Sequence, residues 1–128
     1  MMKAKEPLFD YISTENDFQI LNGDSLKILK SFDDGKFDLI ITSPPYNVGK
    51  SYETKTSIEK YLETQEGIID ELVRTLSDKG NLCWQVGNYV DKGEVFPLDI
   101  IYYQIFKKHG LKLRNRIIWH FWSRTACI

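Results

Sequence analysis

Apolar positions recur along the chain in two different periods. Ile58, Tyr61, Leu62, Ile69, Leu72, Val73 and Leu76 fall at helical spacing and predict a long amphipathic helix that ends near Gly80. Thr56 followed three residues later by Glu59 has the form of a capping box at its start. Leu98, Ile101, Tyr102, Ile105 and Phe106 predict a second helix, opened by Pro97 and closed by Gly110. Leu26, Ile28, Leu29 and Phe32 predict a shorter one, capped by Asp24 or Ser25 and stopped by Asp33-Asp34-Gly35. Between the helices lie β-type runs at 18–22, 37–42 and 81–86. The second, FDLIIT, is continuous enough for a strand covered on both faces. Residues 111–121 alternate in part and predict a last strand, or two strands broken near Arg114-Asn115. Residues 43–51 must form a loop, because consecutive prolines cannot continue a central strand.

The order β-α-β-loop-α-β-α-β implies an α/β fold: a Rossmann-like, mostly parallel sheet with flanking helices. Ligands of such sheets bind beyond the carboxyl ends of the strands. Two polar turns lie at such ends, Gly23-Asp24 after FQILN and Ser43 to Asn47 after FDLIIT.

Composition narrows the class. With 42% apolar and 27% charged residues the chain is globular rather than disordered. No apolar run approaches the roughly 20 residues of a membrane span. The first residues, MMKAKEPLFDY, lack a secretory core and cleavage site. Cys83 and Cys127 form no CxxC, and a cytoplasmic protein with reduced thiols is expected. The net charge of −1 hides an asymmetry: residues 1–103 carry 11 Lys/Arg against 18 Asp/Glu, whereas 104–128 carry 6 Lys/Arg and no acid. Such a basic end either faces phosphates or is a solvated surface with acidic partners elsewhere. Cys83, in its apolar strand, reads as a packing residue, and Trp84, Trp119 and Trp122 as core or subunit-contact residues. Lys55, Lys60 and Glu63 read as a solvated helix face, and His109 as favouring a helix end when charged. His120 is a weaker candidate for the site because it ends a strand.

The stretch Thr42-Ser43-Pro44-Pro45-Tyr46-Asn47 carries the chemistry. Two prolines fix two φ angles and hold the residues before them extended. Proline has no N–H, so the loop presents mainly acceptors, with the Tyr46 ring directly behind them. Stiff acceptors beside an aromatic face suit a planar molecule with an amino group. The ring stacks on Tyr46, and the amino hydrogens point at Ser43 and the Pro44 carbonyl. A nucleobase amine is a poor nucleophile because its lone pair is delocalised. Two acceptors on its hydrogens favour the pyramidal form and stabilise the charge that develops on nitrogen. The plainer alternative is a polyproline-like connection followed by an ordinary tyrosine.

TSPPYN directly after FDLII resembles the catalytic motif of DNA amino-methyltransferases. ILNGDSLKIL, GNLCWQVGNYV and LRNRIIWH are similar to other segments of the beta class, in which the motif order is permuted. The resemblance runs from about residue 18 to 120. It implies transfer of a methyl from S-adenosylmethionine to the exocyclic amine of cytosine or adenine in a base flipped out of double-stranded DNA. It makes Ser43, Pro44, Pro45 and Tyr46 catalytic, sets Asp24 and Ser43 beside the cofactor, and sets Tyr46 and Asn47 against the base. A serine at the head of the motif goes with cytosine targets more than adenine. No metal is implied, since the transfer needs neither a Lewis acid nor activated water. A cognate restriction endonuclease is an implied partner.

The chain also departs from that family. No two of its glycines, at 23, 35, 49, 67, 80, 87, 93 and 110, are spaced as GxG, whereas the family carries an FxGxG cofactor loop. The expected organisation is a tail or flap at 1–17, an incomplete catalytic region at 18–121 and a truncated end at 122–128. An incomplete sheet leaves Leu39-Ile40-Ile41 bare on one side, which predicts a homo-oligomer. A non-enzymatic remnant and a nucleic-acid-binding module are the alternatives.

Overall fold

A computed structural model describes residues 10–13, 18–47 and 54–120. The element order is β1 (Asp10–Ser13), β2 (Ile20–Asn22), α1 (Ser25–Leu29), β3 (Phe37–Thr42), α2 (Ile58–Thr75), β4 (Leu76–Trp84), β5 (Asn88–Asp91), β6 (Glu94–Pro97) and α3 (Leu98–Lys108).

The α/β architecture is present, and its centre is the parallel pair β3–β4, joined through α2. Leu39, Ile40, Ile41 and Thr42 lie opposite Asn81, Leu82, Cys83 and Trp84. Before that register begins, Phe37 pairs with Leu76, so residues 77–80 bulge out of β4. Gly80, read from the sequence as the stop of α2, instead lies in this bulge, where a Cβ would approach the Ser77 carbonyl oxygen to 3.0 Å. Helix α2 ends earlier, at Thr75. Its N-cap is Ser57, whose hydroxyl accepts from the Lys60 N–H, so the expected cap at Thr56 is one residue off. The open choice at α1 falls to Asp24, whose Oδ1 accepts from Lys27 N–H at 2.9 Å.

Three strand expectations change. β2 pairs antiparallel with β1 rather than joining the parallel sheet, and only six residues separate the two strands, a short connection that suits antiparallel pairing. Residues 111–120 form no strand; Leu113, Ile117, Ile118 and Trp119 are all exposed, so burial does not reward the partial alternation there. Trp119, at 79% exposure, is therefore not a core residue, and Trp122 lies outside the described residues. A hairpin that periodicity did not show, β5–β6, turns at Lys92 (φ 48°) and Gly93 (φ 84°). Two successive positive φ values are those of the tight turn that matches strand twist.

The core lies on one side of the β3–β4 pair. Tyr61, Ile69 and Leu72 of α2, Leu98, Tyr102 and Ile105 of α3, and Tyr89 of the hairpin are buried. Trp84 packs against Tyr102 and Phe106, with ring centroids 5.1 and 5.4 Å apart. The other side of the pair is open: Leu39 is 56% and Ile41 72% exposed, and Cys83 is exposed with them. Among the described residues FDLIIT is thus covered on one face only, and Cys83 is exposed rather than packed. Registered partners in a parallel pair share a face, so Cys83 follows Ile41 outward. Among the described residues no helix is long and apolar enough to cross a membrane.

Candidate active site

The loop 43–47 leaves the carboxyl end of β3, where the Gln85 N–H donates to the Thr42 carbonyl at 2.9 Å and ties the two parallel strands together. Ser43 is exposed, Pro44 buried, Pro45 exposed and Tyr46 half-buried. The Ser43 and Tyr46 hydroxyls lie 3.0 Å apart, which closes the loop on itself. The Tyr46 ring lies over Gly87, where a Cβ would stand 3.3 Å from Cδ2 and Cε2. Any side chain at 87 would press on that ring.

Asn47 ends the loop with φ 60°, a left-handed conformation that Asn tolerates better than most residues. Its side-chain amide accepts from the Thr56 N–H at 2.8 Å and donates to the Thr56 carbonyl at 2.7 Å. The residue is 2% exposed, and through these two bonds it holds the loop against the start of α2.

The loop is also held from behind. Tyr61 of α2 donates its hydroxyl to the Pro45 carbonyl at 2.6 Å, and Tyr102 of α3 donates to the Tyr61 hydroxyl at 2.7 Å. Burial first, and then the bond to Tyr61, push the Tyr102 phenol far above its ordinary value. It stays a protonated donor. Sequence reasoning missed Tyr61, Tyr102 and Gly87. The two tyrosines lay on helical stripes and read as core, yet a buried tyrosine hydroxyl needs a partner, and that was the available signal.

The structure brings Ser43, Pro44, Pro45 and Tyr46 together as one strand-end loop. Asp24 stands at the end of β2, exposed, and one of its carboxylate oxygens caps α1. A carboxylate accepts several hydrogen bonds, so Asp24 retains acceptor capacity for a ligand's hydroxyl or amino group. An exposed acidic acceptor of this kind fits the adenosine end of S-adenosylmethionine.

A family model described as DNA methylase, of the N6/N4 methyltransferase type, matches residues 37–125. The chain is 43% identical over 102 residues to the Type II methyltransferase M.BglII of Bacillus subtilis, across 79% of this chain and 28% of that protein. It is 34% identical over 114 residues to the Type II methyltransferase M.ScaI of Streptomyces caespitosus, across 87% of this chain and 36% of that one. A solved candidate DNA modification methylase of Thermus thermophilus superposes with a TM-score of 0.67 at 31% identity, over 83% of this chain and 47% of its own. The same Thermus protein has also been solved with S-adenosyl-L-methionine. The chain thus spans about a third of the length of these two curated relatives and under half of the solved one. With the family model covering most of its length, and the strand–loop–helix geometry around TSPPYN in place, the chain belongs to the DNA methylase family, as a beta-class amino-methyltransferase.

Proposed function

We propose that this chain forms the target-amine side of an S-adenosylmethionine-dependent DNA methyltransferase acting on the exocyclic amine of cytosine, or of adenine, in a flipped-out base. The observation that carries the reading is the loop itself: an exposed Ser43 hydroxyl, held 3.0 Å from the Tyr46 hydroxyl, on a di-proline turn at the end of a parallel strand. A hydroxyl has two acceptor lone pairs, so Ser43 can receive the Tyr46 proton and still accept one from an amine. The Pro44 carbonyl accepts the second amine hydrogen. The Tyr46 ring stacks on the base and keeps the amine in register with these acceptors. As the nitrogen gains positive charge, both acceptors stabilise it, and its proton leaves to solvent.

S-adenosylmethionine, when bound, supplies an electrophilic methyl on a sulfonium centre. Asp24 and Ser43 are the residues that would lie beside it, Asp24 toward the adenosine. Asn47 holds the loop rather than the base. Serine at the head of the motif places cytosine ahead of adenine. Double-stranded DNA is the substrate, and it sets the enzyme in the cytoplasm. A cognate restriction endonuclease and a second copy of the chain are its proposed partners.

The experiment is tritiated-methyl incorporation into mixed-sequence DNA, followed by chromatography of the hydrolysed bases. It is run on the chain alone and on the chain supplemented with a polypeptide carrying an FxGxG loop. The reading expects no measurable transfer by the chain alone, and label in N4-methylcytosine, or N6-methyladenine, on supplementation. Label in a ring-carbon methyl group would contradict it.

A further inference from the structure

We infer that Tyr102 and Tyr61 form a positioning relay that sets the orientation of the Pro45 peptide and, through it, of the Tyr46 ring. The inference rests on the reading of residues 43–46 as the amine-binding loop.

The direction of the relay follows from burial. Tyr102 is 1% exposed, and Trp84, Tyr61 and Phe106 pack around its ring. Its hydroxyl proton has a partner in the Tyr61 oxygen at 2.7 Å. Tyr61 therefore accepts on its oxygen and directs its own proton outward, to the Pro45 carbonyl at 2.6 Å. Hydrogen bonds in series polarise one another, so the second strengthens the first. The result is a proline carbonyl turned back toward α2 and withdrawn from any substrate. The loop then offers its Ser43 side to a ligand.

The other anchors cannot do this. Gln85 fixes Thr42 before the loop, and Thr56 fixes Asn47 after it. Between them only the Pro45 peptide joins the di-proline turn to Tyr46, and Tyr61 grips that peptide. Gly87 leaves the Tyr46 ring room in the orientation that results. Neither tyrosine touches the proposed substrate, so both are positioning residues.

The test uses the 128-residue chain and Tyr61→Phe, Tyr102→Phe and the double variant, each checked for unchanged helix content by circular dichroism. Carbon-13 NMR of the Pro45 carbonyl reads the hydrogen bond directly. Tyr61→Phe should shift it upfield, and Tyr102→Phe should shift it less in the same direction. The double variant should match Tyr61→Phe alone, because Tyr102 acts only through Tyr61. Hydrogen exchange at the Tyr46 and Asn47 amides should quicken about three- to tenfold in Tyr61→Phe, the ratio that one net hydrogen bond is worth. A general loss of packing would instead give additive effects in the double variant and leave the carbonyl shift alone.

Titration with deoxycytidine and deoxyadenosine 5′-monophosphates, with Tyr46→Ala as control, separates the relay from the reading beneath it. Binding should disappear in Tyr46→Ala and weaken about three- to tenfold in Tyr61→Phe. No binding, or binding that survives Tyr46→Ala, contradicts the amine-site reading whatever the carbonyl does. A Pro45 carbonyl unmoved by Tyr61→Phe overturns the relay whatever the nucleotides do. If Tyr61→Phe fails to fold, Tyr102→Phe decides: it keeps the direct bond to Pro45, and an unshifted carbonyl there overturns the inference.

Discussion

At Tyr46 two properties can be separated, the ring and the hydroxyl. Tyr46→Ala removes the stacking face and should weaken binding of an unpaired base by about 1–3 kcal/mol. Tyr46→Phe keeps the ring and loses only the contact with Ser43. It should cost no more than about 0.5–1.5 kcal/mol, the net worth of one hydrogen bond. Fluorescence anisotropy with a mixed-sequence oligonucleotide checks the order of the two variants; equal losses would show that the ring does not stack. Asn47 carries a different kind of prediction, one of stability. Asn47→Gly keeps the left-handed backbone but strands the Thr56 N–H and carbonyl. A polar group left unsatisfied costs about 1–3 kcal/mol, so urea unfolding should show a loss in that range even though glycine suits the φ. Ser43 to Tyr46 were legible in the sequence because two prolines after a β-run leave few conformations. The tie from Asn47 to Thr56 was not legible, because its partner is backbone nine residues on, and backbone partners leave no trace in side-chain pattern.

Among the elements, α2 and α3 were legible from their period and β3 from its continuous apolar run, and the hairpin and the bulge were not. The hairpin turn is Lys92-Gly93, without the Asn-Gly or Asp-Gly pair that marks such turns. Gly80 looked like a helix stop because glycine serves both ends and bulges. α2 is joined to the α1–β3 connection by Arg74, which donates to Glu71, Asp34 and the Leu29 carbonyl. Those two carboxylates, Glu71 first, raise its guanidinium further above its ordinary value, so it stays charged. Lysine cannot reproduce a fork of several donors, and Arg74→Lys should destabilise the chain in urea while keeping the charge. The packing of α3 on α2 carries a pH signature. Tyr102 has a folded-state value raised above the unfolded one, near 10, so its contribution is complete below that pH. Above it the unfolded chain releases a proton that the folded chain keeps, and stability should fall by about 1.4 kcal/mol per pH unit. Urea unfolding between pH 9 and about 11 checks this. The slope due to Tyr102 should vanish in Tyr102→Phe.

On the scale of the whole molecule, one face of the parallel pair has no cover among the described residues. Leu39 and Ile41 lie on it, and Leu113, Ile117, Ile118 and Trp119 are exposed elsewhere on the chain. Exposed apolar surface of this extent favours association. The chain should sediment as a dimer or larger at micromolar concentration, and Ile41→Lys should shift it toward monomer with unchanged helix content by circular dichroism. A clean monomer for the unaltered chain would contradict this. The most direct measurement on the central claim, that the motif loop orients a target amine, is the rate of methyl transfer by the supplemented chain and its Ser43→Ala variant. Loss of an acceptor that acts on the developing charge should lower the rate by about 10²–10³, with DNA binding unchanged. An unchanged rate, or a loss of rate no larger than the loss of DNA binding, would contradict the account.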